Sequence, residues 1–71
     1  MRQKIRLDTM TDIRDFVAAA TKANAPVYLT DGTDLIVSAK SLLGVMYTME
    51  WSEVYCTCDV DIYSLIEKFT V

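Results

Sequence analysis

Ser38-Ala39-Lys40-Ser41-Leu42-Leu43-Gly44-Val45-Met46-Tyr47-Thr48 is the stretch where a β-branched strand hands over to a short helix. Ser41 is placed to act as N-cap, because its hydroxyl can accept from the free amides one turn into the helix. Behind it Leu42, Leu43, Val45 and Met46 are apolar, and Gly44 permits close approach of another backbone. Three- and four-residue spacing groups Leu42, Val45 and Met46 on one side and Leu43, Met46 and Tyr47 on an adjoining one. Both sides cannot face a single core. Sandwiching the helix would need more protein than 71 residues supply, so Leu43 and Met46 are expected on the surface, as an apolar patch of the kind that marks a partner site.

Upstream, Val27 to Thr30 and Leu35 to Ser38 are two strand-forming runs around Asp31-Gly32-Thr33-Asp34, and Asp-Gly is a hairpin signal. The two runs should pair antiparallel. Val27 and Leu29 then face inward with Leu35, Val37 and Ala39, while Tyr28, Thr30, Ile36 and Ser38 face out. Before them, Arg2 to Leu7 alternates: Arg2, Lys4 and Arg6 on one face, Ile5 and Leu7 on the other. Thr9-x-x-Asp12 has the outline of a capping box, with Thr11 or Asp12 as alternative caps one turn on. A helix should start near Met10 and run through Asn24, with Ile13, Phe16, Val17, Ala20 and Ala23 on its buried stripe. Asn24 and Pro26 end it.

Downstream, Met49 to Trp51 reads as a connection. Ser52 to Asp59 alternates again, with Val54, Cys56 and Cys58 on one face and Glu53, Tyr55 and Thr57 on the other. Asp59 or Asp61 can cap a last helix in which Ile62, Leu65, Ile66 and Phe69 repeat at helical spacing. The element order is β-α-β-β-α-β-α. It predicts an α+β open-faced sandwich, a four-stranded antiparallel sheet with three helices on one face, as a single domain over residues 1–71.

Composition narrows function by exclusion. The net charge of -3, with no basic stripe, argues against nucleic-acid binding. No apolar run approaches the ~20 residues of a membrane span, and the charged start lacks the apolar centre of a signal peptide, so a cytoplasmic protein without membrane attachment is expected. Cys56 and Cys58, two apart on a strand, sit too far apart for an easy bridge. As metal ligands they would need two more, and the chain has no His and no other Cys. They read as small buried apolar groups, with neither metal nor cofactor implied. Asp31, Asp34, Glu50, Glu53, Asp59 and Asp61 fall at turns or wet faces, no nucleophile has a base at a telling spacing, and no phosphate loop is present. The chain is not read as an enzyme.

Lys40-Ser41-Leu42-Leu43-Gly44-Val45-Met46 resembles the Lys-Ser-Ile-Met-Gly-Val-Met run of the HPr family, the small phosphocarriers of bacterial sugar phosphotransferase systems. The resemblance extends to Ser52–Asp59, which is similar to that family's final strand, to Thr21-Lys22-Ala23-Asn24, which is similar to the end of its first helix, and to the whole element order. It implies an HPr-like fold. The family's phosphorylated histidine lies in a Gly-x-His-Ala-Arg-Pro motif just before the first helix, and this chain has no histidine. Counted back from Asn24, Thr9 falls at the histidine position and Thr11 near the phosphate-holding arginine, a degenerate phosphocarrier site. Relay through an imidazole is excluded. A threonine phosphate ester is too stable to hand its phosphate on, and capping is the ordinary role of Thr9.

The family's second feature, a serine at the head of the short helix that a dedicated kinase phosphorylates in many members, falls on Ser41. A phosphate there would meet free amides and add a dianion beside Leu43 and Met46. The plain alternative is that Ser41 only caps and Lys40 is only a solvated charge. The resemblance thus implies a non-catalytic, HPr-like regulatory or protein-binding module acting through Lys40, Ser41, Leu42, Leu43, Met46 and Tyr47. Its partners would be phosphotransferase-system enzymes, a kinase or a transcription regulator. A second reading is structural. Tyr28, Tyr47, Met49 and Trp51 are more apolar and aromatic surface than a small monomer usually shows, which suits a homodimer or an assembly subunit using the same patch.

Overall fold

A computed structural model describes residues 1–71. The chain runs β1 (Arg2–Ile5), α1 (Met10–Thr21), β2 (Val27–Thr30), β3 (Ile36–Ser38), α2 (Leu42–Tyr47), a 3-10 turn (Thr48–Glu50), β4 (Val54–Cys58), α3 (Tyr63–Ile66) and a second 3-10 turn (Glu67–Phe69). The four strands form one antiparallel sheet in the order β1-β4-β2-β3. The α+β class expected from the sequence is the one observed.

Register explains why one face is dry and the other wet. Gln3, Cys56, Leu29 and Val37 align across the strands on the inner face, flanked by the pairs Ile5 with Val54 and Cys58 with Val27. The outer face carries two further rows: Arg2, Thr57, Tyr28 and Ser38, then Lys4, Tyr55, Thr30 and Ile36. Alternation does the sorting, since successive side chains point to opposite faces. Against the inner face lie Ile13, Phe16 and Ala20 of α1, Val45 of α2, and Ile62, Ile66 and Phe69 around α3, in one continuous core. Phe16 meets Phe69 edge to face, ring centroids 5.3 Å apart, the arrangement that aromatic quadrupoles favour.

Helix α1 begins as the capping box requires. The Asp12 amide donates to Thr9 Oγ1 at 3.1 Å, and Asp12 Oδ2 accepts from the Thr9 and Asp8 amides at 3.3 and 3.0 Å. Thr9, not Thr11 or Asp12, is the N-cap. The helix stops at Thr21, three residues before Asn24, because the chain tightens: the Lys22 and Ala23 amides donate to the carbonyls of Ala19 and Ala20, three residues back. Ala23 stays buried all the same.

Other boundaries also move. Leu35, expected inward, is 47% exposed. The Asp31 carboxylate accepts from the Thr33 and Leu35 amides at 2.9 and 3.2 Å, so a five-residue loop holds Leu35 outside the strand, and the helices leave it uncovered at the hairpin end. Gly32 in that loop has φ of 92°, a conformation that favours glycine. Strand pairing of β1 ends at Ile5 rather than Leu7, and β4 occupies Val54–Cys58 rather than Ser52–Asp59. The expected connection Met49–Trp51 is largely the 3-10 turn, stabilised by Thr48 Oγ1 donating to the Val45 carbonyl at 2.7 Å. The last helix is one turn of α followed by one of 3-10. Neither Asp59 nor Asp61 is its N-cap: Ile62 holds that position without a side-chain cap, and Asp61, one residue earlier, accepts at Oδ1 from the Tyr63 amide at 2.9 Å. The segment after it lies along β1, with the Arg6 amide donating to the Phe69 carbonyl at 2.8 Å and the Val71 amide to that of Lys4 at 3.2 Å.

Candidate functional site

Ser41 closes the start of α2 as expected, its Oγ accepting from the Gly44 amide at 3.1 Å. Six residues of helix then turn one side chain fully inward, Val45, which is completely buried. Gly44 packs against β3. A Cβ added there would stand 3.3 Å from Val37 Cβ and 3.3 Å from Ser41 Oγ, so the close approach is to a strand side chain and to the helix's own cap rather than to another backbone.

Inward pointing of Val45 and Gly44 forces the neighbours out. Leu43 is 66% and Tyr47 61% exposed, and Leu42 and Met46 are about half so. The expected patch is present. Leu43, Met46, Tyr47, Met49 and Glu50 line a shallow hollow along the outer side of α2 and the 3-10 turn. Glu50 is a member of the site that the sequence reading missed, and Met49 entered that reading only as part of the assembly surface. Three-residue steps from Leu43 through Met46 to Met49 match a 3-10 continuation, a signal hidden by reading Met49–Trp51 as a plain connection.

Lys40 does not line this hollow. Its Nζ donates to the Ala23 carbonyl at 2.8 Å, supplying a donor where the end of α1 leaves carbonyls unpaired. Trp51, half-buried, packs against the core and lines a groove of about 440 Å³ together with Lys4, Arg6, Asp8, Met49 and Glu53. Charges there are matched: Arg6 Nε is 3.3 Å from Asp8 Oδ1, and Lys4 Nζ 4.0 Å from Glu53 Oε1. Tyr28 stands on the outer sheet face, away from Tyr47, Met49 and Trp51, so the four do not form one surface.

Thr9 and Thr11 are both exposed at the first turn of α1, and Thr9 is engaged as the cap. Cys56 and Cys58 are buried free thiols, and burial pushes the Cys56 thiol up to about 11. No three side chains of Cys, Asp or Glu converge as a metal-binding group. On the outer sheet face the Arg2 guanidinium stacks 4.4 Å from the Tyr55 ring centroid, and the Tyr55 hydroxyl donates to Glu53 at 2.5 Å, which raises the Tyr55 pKa, with smaller contributions from burial and the Glu53 charge. No helix is long and apolar enough to cross a membrane.

Comparison with protein-family models, with curated proteins and with solved structures finds no match.

Proposed function

We propose that this chain is a non-catalytic, HPr-like protein-binding module of the cytoplasm that docks a protein partner through the outer side of α2 and its 3-10 extension. The observation that carries the reading is the exposure of Leu43 and Tyr47 around a hollow that Met46 and Met49 complete. Contiguous apolar surface of this kind, on a chain with an otherwise filled core, is the ordinary signature of a docking face. The HPr-like part rests on the Lys40–Met46 run and on the β-α-β-β-α-β-α order. Lacking histidine, such a protein takes no part in imidazole phosphate relay.

Regulation at Ser41 belongs to the same proposal. The hydroxyl is exposed and already faces the Gly44 amide. A phosphate on it would bring a dianion to the edge of the patch and alter partner choice by charge alone. The test is an amide NMR titration with a phosphotransferase-system enzyme and with a transcription regulator, before and after treatment with HPr kinase and ATP. Shifts confined to Leu43–Glu50 support docking. A mass gain of about 80 daltons, one phosphate, with shifts at Ser41–Tyr47 supports control at Ser41. No mass gain removes the control and leaves the docking face; no shift with either partner removes the phosphotransferase connection.

A further inference from the structure

We infer that the occupant of the α2 surface is a basic amphipathic helix supplied by another protein; this rests on the docking reading above and adds the chemistry of the partner. Charge around the hollow is one-sided. Glu50 is the only charged residue in its lining and forms no ion pair. In the neighbouring groove, which shares Met49, Lys4 is paired with Glu53 and Arg6 with Asp8, and Lys40 donates to the Ala23 carbonyl. An incoming segment therefore meets apolar side chains and one unanswered carboxylate, on a chain of net charge -3. A cation on the partner finds a place beside Glu50, whereas an anion is repelled.

Backbone chemistry selects a helix. Along α2 and the 3-10 turn the backbone is helical, so the surface is made of side chains and offers no free edge for strand addition. A segment docking there must satisfy its own amides and carbonyls, as a helix does. Size points the same way. Six residues of α2 and three of the turn make a ridge of roughly 14 Å, enough for two or three turns of a partner helix. A second copy of this chain would need about 800 Å² from each partner, nearly a fifth of the 4417 Å² surface, more than one such ridge presents. Met46 and Met49, unbranched and flexible, adjust to the apolar side chains that arrive.

The test uses two synthetic amidated helices with Leu at i, i+3, i+4 and i+7, one with Lys and the other with Glu on the opposite face, titrated into the whole protein and read by amide NMR. Expected are shifts confined to Leu43–Glu50, binding about five-fold tighter for the Lys peptide at low salt, as one rim charge pair allows, and a ratio that collapses in Glu50→Gln and inverts in Glu50→Lys. Equal binding of both peptides at those residues, or preference for the Glu peptide, overturns the basic-partner inference while the docking face stands. Silence at Leu43–Glu50 with both peptides overturns both readings. Concentration-dependent shifts of the same residues in the protein alone would make the occupant a second copy and overturn the inference. The Glu50 variants alter an exposed residue, and their own spectra check that the fold is intact.

Discussion

The Lys40 ammonium donates to the Ala23 carbonyl at 2.8 Å, joining the residue before the cap of α2 to the residue after the cap of α1. This hydrogen bond ties the start of α2 to the end of the long helix beside it, in addition to the packing of Val45 in the core. Replacing Lys40 by Met keeps the stem and removes the donor, and it should cost about 1 kcal/mol in urea unfolding. Peptide binding at Leu43–Glu50 should be nearly unaltered. A variant of unchanged stability but weakened binding would return Lys40 to the partner surface.

Thr9 is predicted to matter as a cap. Thr9→Ala should lower stability by about 1 kcal/mol and Thr9→Ser by much less, because only the former loses the acceptor for the Asp12 amide. Equal losses for the two substitutions would show that the methyl group, not the hydroxyl, is what α1 needs.

Neighbouring positions on α2 should respond in opposite ways. Val45→Ala empties part of the core and should destabilise by roughly 2 kcal/mol. Leu43→Ala, two residues away and exposed, should stay within about 0.5 kcal/mol and instead weaken docking. Denaturant midpoints and peptide titrations on the same two variants separate these effects.

The Asp31 carboxyl is held below its ordinary value, chiefly by the Thr33 amide; desolvation opposes this, and the Thr33 hydroxyl and the Leu35 amide add to the lowering. With the folded pKa below the unfolded one, its contribution is present above the ordinary aspartate range and is lost as pH falls through the folded value. An acid titration should show the Thr33 and Leu35 amides moving together below pH ~3.9, the ordinary aspartate value. In Asp31→Asn that step should vanish.

Cys56 should be unreactive in the folded protein. Burial raises its pKa to about 11, with the Cys58 charge adding to the shift, so almost no thiolate exists at pH 8 and no path reaches it. Iodoacetamide should label it only after denaturant is added. Because the folded pKa is raised, the associated stability is full below the ordinary thiol value and is lost as pH climbs toward 11. Rapid labelling under native conditions would mean that β4 opens readily.

What the residues made legible, and what they hid, has one physical source. Alternation in Val54–Cys58 and the helical stripe from Ile13 to Ala23 are burial patterns, and burial is where sequence speaks most directly. Thr9 and Ser41 were legible because a cap needs a particular side chain at a particular offset. Leu35 misled because alternation assigns a face without saying whether a helix covers that face at the end of an outer strand. The bond from Lys40 to Ala23 joins residues seventeen positions apart, and no local pattern announces it. Glu50 escaped notice, and Met49 was not grouped with Leu43 and Met46, because the change from α to 3-10 winding shifts which residues share a side.

The strand order β1-β4-β2-β3 also governs how the chain must assemble. Each of β1 and β2 finds its common neighbour only in Val54–Cys58, the last strand to leave a ribosome. Until then the emerging polypeptide can close the β2–β3 hairpin and wind α1, but Ile5 has no Val54 opposite it and the inner face cannot be completed. Loop closure over some fifty residues must precede the reward of pairing β1, so the sheet should appear late and all at once. A protein of this size with a mostly local helical layer nonetheless commits to its structure through its most distant contacts.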